Sequence, residues 1–145
     1  WGNTFTYKAF DLSLFFRGRF DYKIMNQYEM YYGLQVISGD NKLKSAYGKN
    51  NHIKGAKVIC DYDGFLQNGD YIRLDNITLG WNPKLSTRWI SNLRIYASMK
   101  NVFTITDYTG LDVTNVNTNG IWPGIGGMEV YPVARNLTLG VQITY

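Results

Sequence analysis

One cysteine, one histidine and three prolines in 145 residues set the first limits on this chain. A lone thiol, Cys60, excludes an intramolecular disulfide and any metal site built from several cysteines. His52, the only histidine, excludes a His-rich metal constellation and is read as a loop residue. Asp61 and Asp63 in C-D-Y-D-G-F miss both the spacing and the closing Glu of a calcium loop. Gly124, Gly126 and Gly127 follow no strand–helix context for a dinucleotide fingerprint and are read as a flexible loop tip. No acid/base pair has convincing spacing, so an enzyme is not expected, nor is any cofactor. No run approaches the roughly 18 uninterrupted apolar residues of a membrane helix. The net charge of +4 is mild, and the five lysines 42, 44, 49, 54 and 57 are unaccompanied by a recognition helix or RNA-binding motif. They are read as a solvated loop, and nucleic acid is not expected as a partner. The chain begins on Trp1 with no signal peptide ahead of it, which favours a piece of something longer.

What is abundant points to strands. Aromatics make up 16% of the chain and glycine contributes 15 residues, a composition of strands and turns. In the final segment, Leu137, Leu139, Val141, Ile143 and Tyr145 share one parity and Asn136, Thr138, Gly140, Gln142 and Thr144 the other. That is a strand with one greasy and one polar face. Phe10, Leu12, Leu14, Phe16, Gly18 and Phe20 alternate in the same way with Asp11, Ser13, Phe15, Arg17 and Arg19. Leu93, Ile95, Ala97, Met99, Phe103 and Ile105 alternate with Arg94, Tyr96, Ser98, Lys100, Val102 and Thr104, with Asn101 the one polar residue on the apolar side. Between Tyr71 and Trp81 the later half alternates cleanly, but Ile72 and Leu74 fall on the wrong parity. Either a β-bulge near Asp75-Asn76 or an upper half lying above a membrane accounts for it.

The expected strands are therefore about 4–8, 10–20, 71–81, 93–105 and 133–145. Their connections alternate between short (Lys8-Ala9 and 82–92) and long (21–70 and 106–132). Short turns on one side and long loops on the other is the layout of bacterial outer-membrane β-barrels, whose strands of about 9–11 residues cross the bilayer. The polar faces would line a wet lumen, since an arginine at the bilayer midplane costs roughly 2–4 kcal/mol. Both short turns then share a side with the final residue, where Phe10, Trp81, Trp89 and Tyr145 form an aromatic girdle. Five strands fall short of the roughly 8 that the smallest such barrel needs, and an open edge in lipid is not viable. The fold class expected is all-β: antiparallel strands of a transmembrane barrel, incomplete in this chain. A secreted glycan-binding β-sandwich is the alternative from another class; it explains the alternation but not the asymmetry of the connections.

Four blocks resemble one family. F-T-Y-K-A-F-D-L-S-L-F-F-R-G-R-F (5–20) is similar to the hairpin of SusC-like TonB-dependent transporters, and N-G-D-Y-I-R-L-D-N-I-T-L-G-W (68–81) to a later strand. L-R-I-Y-A-S-M-K-N-V-F-T-I-T-D-Y-T-G-L-D (93–112) resembles a third block, with Val113 and Thr114 where Pro-Glu is usual. Y-P-V-A-R-N-L-T-L-G-V-Q-I-T-Y (131–145) looks like the closing strand. The resemblance implies the C-terminal strands of a 22-stranded outer-membrane barrel of a Bacteroidota-type bacterium, with the plug domain absent from this chain. It implies import of oligosaccharides, or of peptides, driven by the TonB complex and shared with a SusD-like surface lipoprotein.

On this reading Arg17, Arg19, Arg94 and Lys100 face the lumen, where they tune its potential or contact the plug. Of the loop aromatics (Tyr28, Tyr31, Tyr32, Tyr47, Tyr62 and Trp122), Tyr47, Tyr62 and Trp122 are the candidates for a ligand or partner protein, against a background expectation of packing among loops. Tyr145, by resemblance, carries the signal read by the barrel-assembly machinery. The outward face meets outer-membrane lipid.

Overall fold

The computed structural model describes residues 1–36, 39–53, 63–85, 89–116, 121, 123–128 and 131–145. Eight strands occur among them: β1 (Gly2–Tyr7), β2 (Phe10–Arg19), β3 (Lys23–Asn26), β4 (Leu66–Asn68), β5 (Tyr71–Trp81), β6 (Asn92–Thr106), β7 (Ile125–Gly126) and β8 (Asn136–Thr144). One short helix, α1, spans Gln27–Tyr32. The described chain is mostly strand with little helix. It divides into two units, residues 1–18, 71–105 and 133–145 in the first and residues 19–70 and 106–132 in the second.

The first unit carries a five-stranded sheet in the order β1-β2-β5-β6-β8. Antiparallel pairing sets Tyr7 opposite Phe10, leaving Lys8-Ala9 as a two-residue turn in which Lys8 has φ 54°. A positive φ at the first central residue is what a type II′ hairpin turn places there. β6 and β8 pair from Asn92↔Thr144 to Lys100↔Asn136. Paired residues share a face, so Leu93/Ile143, Ile95/Val141, Ala97/Leu139 and Met99/Leu137 make four successive apolar pairs. Arg94/Gln142, Tyr96/Gly140, Ser98/Thr138 and Lys100/Asn136 fall on the opposite side.

The break in alternation along β5 lies between Asp75 and Asn76. Asp75 meets Arg17 and Asn76 accepts a hydrogen bond from the Ser98 hydroxyl at 3.0 Å. Both partners belong to the polar face, so two successive side chains point the same way, as at a β-bulge. Ile72, Leu74, Ile77, Leu79 and Trp81 then share the apolar face.

A second irregularity is Asn101, whose φ is 53°. Asparagine tolerates this left-handed conformation better than most residues. Its amide donates to the Ala134 carbonyl at 2.8 Å, two residues before the β8 ladder opens at Asn136. That bond holds the approach to β8 outside the ladder, so the strand begins at Asn136 rather than at 133.

The second unit is built from the two long connections. β3 takes β4 on one side, antiparallel, and β7 on the other, parallel, with Met25 opposite Ile125 and Asn26 opposite Gly126. Gly124 to Gly126, expected as a loop tip, instead enter a sheet: the Met25 amide donates to the Gly124 carbonyl at 2.8 Å. Asn26, fully buried, caps α1 by accepting from the Glu29 amide at 3.0 Å. Met30, Leu34 and Phe65 form the core, with Met25, Tyr31, Val36 and Ile53 packed against it. The buried Glu29 carboxylate accepts from the Asn50 amide at 2.9 Å and meets the Lys49 ammonium at 3.3 Å. His52 lies in an exposed 3₁₀ turn with Nδ1 beside the Lys49 carbonyl.

Replacing Asn101 by alanine removes a hydrogen bond and forces a Cβ residue without Asn's tolerance into the left-handed region. A loss of about 1–2 kcal/mol is expected, read as a lower thermal midpoint. Asn101→Gly, which keeps the backbone conformation, is expected to lose less.

Candidate functional site

The chemistry of the first unit is concentrated on its polar face. Asp11 from β2 accepts from the Arg94 guanidinium of β6 at 2.5 Å and from the Asn82 amide, just past β5, at 2.8 Å. This crossing passes over Gly80: a Cβ there would overlap the Asp11 carboxylate and the Arg94 Nη2. Glycine on the polar face is thus the space that lets β2 and β6 side chains meet across β5. Arg94 Nε is buried without a hydrogen-bond partner. Further along, Thr78 and Ser98 hydroxyls meet at 2.9 Å and Thr4 donates to Ser13 at 3.3 Å. Arg17 pairs with Asp75 at 3.0 Å, and Arg73 Nε donates to Thr104 at 2.7 Å. The Tyr96 ring occupies the space beside Gly140, its cross-strand partner, that a Cβ would fill, with the Arg94 guanidinium 5.9 Å from the ring centre.

The four cations singled out by sequence have different surroundings. Arg17 and Arg94 are neutralised by Asp75 and Asp11, so their charges are spent within the sheet. Lys100 is exposed opposite Asn136 and, among the described residues, has no carboxylate partner. Arg19, assigned to the second unit, stacks on the Tyr22 ring at 4.2 Å. Sequence reasoning missed Asp11 and Asp75 as partners. Asp75 was hidden by the parity break, while the small residues Gly80 and Gly140 were a usable signal of close approach.

The opposite face is apolar and open. Leu137 is 70% exposed, Leu139 76%, Val141 62% and Ile143 54%. Left in water, each such side chain forgoes about 1.5–3 kcal/mol of burial, so this surface is one that something apolar covers. A shallow depression of about 420 Å³ on it is lined by Phe10, Leu79, Trp81, Ile95, Ala97, Leu139 and Val141, among others. Phe10 and Trp81 stack with ring centres 6.3 Å apart, close to where the Asn82 amide donates to the Ala9 carbonyl. Trp89 is exposed, two residues ahead of Ser91, whose amide donates to the Thr144 carbonyl, and Tyr145 follows at 99% exposure. The four girdle candidates therefore gather at one end of the sheet, with Trp89 reaching it through the Ser91 bond.

In the second unit Tyr47 is exposed, whereas Tyr28 and Tyr32 pack on each other at 5.1 Å and Tyr31 joins the core. Tyr62, Trp122, Asp61 and Cys60 lie outside the described residues. Among the described residues no three of His, Cys, Asp and Glu come together as a metal site. Tyr108, absent from the sequence reading, is a buried phenol whose pKa is pushed up to about 12, first by burial and then by Tyr22. An acid whose folded pKa lies above its unfolded value of 10.0 loses stability as pH rises through that interval. The second unit is thus expected to weaken between about pH 10 and 12 and not below it, and Tyr108→Phe should remove that dependence when unfolding is followed by phenolate absorbance.

Removing one half of the ion pair tests the polar face. Arg94→Met leaves Asp11 with the Asn82 amide alone; because the pair is partly exposed, a loss of about 1–2 kcal/mol is expected, less than for a fully buried pair. Asp11→Asn combined with Arg94→Gln should recover most of it in the thermal midpoint.

No protein-family model matches the sequence. The chain is 26% identical over 99% of its length to TonB-dependent receptor P3 of Formosa agariphila. It is 27% identical over 96% of its length to TonB-dependent receptor SusC of Bacteroides thetaiotaomicron. It spans 16% and 14% of those two proteins. Among solved structures it is similar to the RagAB peptide importer in its closed-closed state, with a TM-score of 0.70 at 17% identity over 95% of this chain and 16% of that one. The open-open state gives 0.71 at 20% identity over 97% of this chain and 16% of that one. At that identity the likeness speaks for the fold. The relatives are named as receptors and importers, not as enzymes.

Proposed function

We propose that this chain, which resembles SusC-like TonB-dependent receptors over nearly its whole length, is the C-terminal stretch of barrel wall of such a transporter in the bacterial outer membrane. The observation that carries the reading is the two-faced sheet. Its apolar side, with Leu137, Leu139, Val141 and Ile143 open, meets lipid; its polar side, cross-linked by Asp11–Arg94 and Arg17–Asp75, lines a wet lumen. Phe10, Trp81, Trp89 and Tyr145 mark the periplasmic rim. β1 and β8 end the sheet order, and further strands, 22 in all by resemblance, continue it into a closed barrel.

The function is energised import of a large nutrient, an oligosaccharide first, with a SusD-like surface lipoprotein and the TonB complex as partners. Lys100 supplies the wall's unneutralised positive charge, while Arg17 and Arg94 hold the wall rigid against a plug; Arg19, at the upper end of β2, belongs with the second unit. Tyr47, and by sequence Tyr62 and Trp122, are the external contacts proposed for ligand or lipoprotein. Peptide cargo is the second reading, favoured by the shared fold with a peptide importer. A secreted sandwich fits less well. Its apolar face would need a second sheet of comparable size, and among the described residues the other strands, β3, β4 and β7, have only 4, 3 and 2 residues.

Deleting the gene that contains this sequence, then restoring it, tests the proposal. Growth on one class of large nutrient should be lost and regained, and should be lost equally when TonB is removed. Uptake that persists without TonB, or recovery of the polypeptide from the soluble fraction, would contradict it.

A further inference from the structure

Tyr47 stands 68% exposed on a turn that is pinned on both sides of it. Ala46, just before it, is fully buried, and its carbonyl accepts from the Gln35 side-chain amide at 2.8 Å. The Leu43 amide donates to the Tyr32 carbonyl at 2.8 Å, which fixes the entry to the turn. Inside it the Tyr47 amide donates to the Lys44 carbonyl at 3.2 Å, and the Asn50 amide to the Ser45 carbonyl at 2.9 Å. The exit is fixed by the buried Asn50, whose side-chain amide donates to the Glu29 carboxylate and to the Gly33 carbonyl, both at 2.9 Å. Gly33 leaves room for that carboxylate, since a Cβ there would stand 2.9 Å from it. A buried carboxylate is costly unless it is bonded. Here its side-chain partners are Lys49 and Asn50, on the same turn as Tyr47. An aromatic ring left in water forgoes burial, and a loose turn would let it fold back. The anchors at Ala46 and Asn50 prevent that.

We propose that Glu29 and Asn50 are positioning residues that hold the Tyr47 ring out in one place, as the anchor by which this connection docks a partner protein. Tyrosine offers a large contact area with few rotatable bonds, and a preorganised ring loses little further freedom on binding. The surroundings of the ring set the chemistry of the partner. From residue 41 to residue 60 the sequence has five lysines and no acid. Lys44 is exposed and, among the described residues, has no carboxylate partner; Lys49, also exposed, is held beside Glu29. The complementary surface is a pocket for a phenol with carboxylates on its rim. The surface lipoprotein of the function proposed above is the partner that carries it, and the role of Tyr47 rests on that reading.

The test titrates the purified lipoprotein against the full-length transporter. Tyr47→Ala is expected to weaken binding about tenfold or more. Asn50→Ala, which leaves the ring but frees the turn, should weaken it about threefold or more. Because Asn50 acts through Tyr47, Asn50→Ala should cost no further affinity once residue 47 is alanine. Glu29→Gln, which can still accept from Asn50, should stay near the parent. Should Asn50→Ala fail to fold, Gln35→Ala changes only an exposed side chain, releases the Ala46 carbonyl and should show the same non-additive pattern. Binding by the parent should weaken as salt is raised, and indifference to salt would overturn the acidic rim. Binding unchanged by Tyr47→Ala, or losses that add in the double variant, would overturn the docking role and leave the transporter reading standing. A parent that does not bind the lipoprotein would overturn that partner and the docking role together.

Discussion

The ladder between β6 and β8 is the contact on which the first unit depends. Nine consecutive pairs fix one register, and side chains alternate with a period of two. A slip of one residue would place Arg94 and Lys100 on the apolar side and Ile95 and Met99 on the polar side. That register aligns Tyr96 with Gly140, whose missing side chain leaves room for the ring, and keeps Arg94 on the side where Asp11 can reach it. Backbone pairing therefore comes first, and the ion pairs follow from it. In lipid the same logic is stricter, because no water is present to satisfy an unpaired amide or carbonyl.

The two faces then acquire opposite tasks. On the polar side the carboxylates of Asp11 and Asp75 absorb the charge of Arg94 and Arg17, so this wall is polar without being strongly cationic. On the apolar side Leu139 and Val141 are open, and the lipid contact proposed above would recover the burial that they forgo in water. The aromatic cluster at one end of the sheet fits that account, since rings with one wet and one greasy side settle at a membrane interface.

How much of this was legible in sequence depended on periodicity. Leu137 to Ile143 and Leu93 to Met99 alternate without interruption, and the strands β8 and β6 lie over them. The break at Asp75-Asn76 was visible as a parity error, but its cause needed the partners Arg17 and Ser98, which are distant in the chain. Asn101 was visible as a polar intruder, and its reason, a left-handed backbone tied to Ala134, was not. The second unit carries no such periodicity in its sequence. Its strands are two to four residues long and its helix six, too short to carry a pattern. Its defining pair, Met25 with Ile125, joins residues that no local signal connects. Of the site, the cations were legible as charges on a polar face; their neutralisation depended on strand order, which puts β5 between β2 and β6.

The most direct test of the central claim is the accessibility profile along β8 in the full polypeptide reconstituted in bilayers. Single cysteines placed from Leu137 to Ile143, with Cys60 replaced by serine, would carry spin labels probed by a lipid-soluble and a water-soluble relaxant. Lipid exposure at Leu137, Leu139, Val141 and Ile143, alternating with water exposure at Thr138, Gly140 and Gln142, is the result the account predicts. A profile without that alternation, or with water reaching both faces alike, would contradict it.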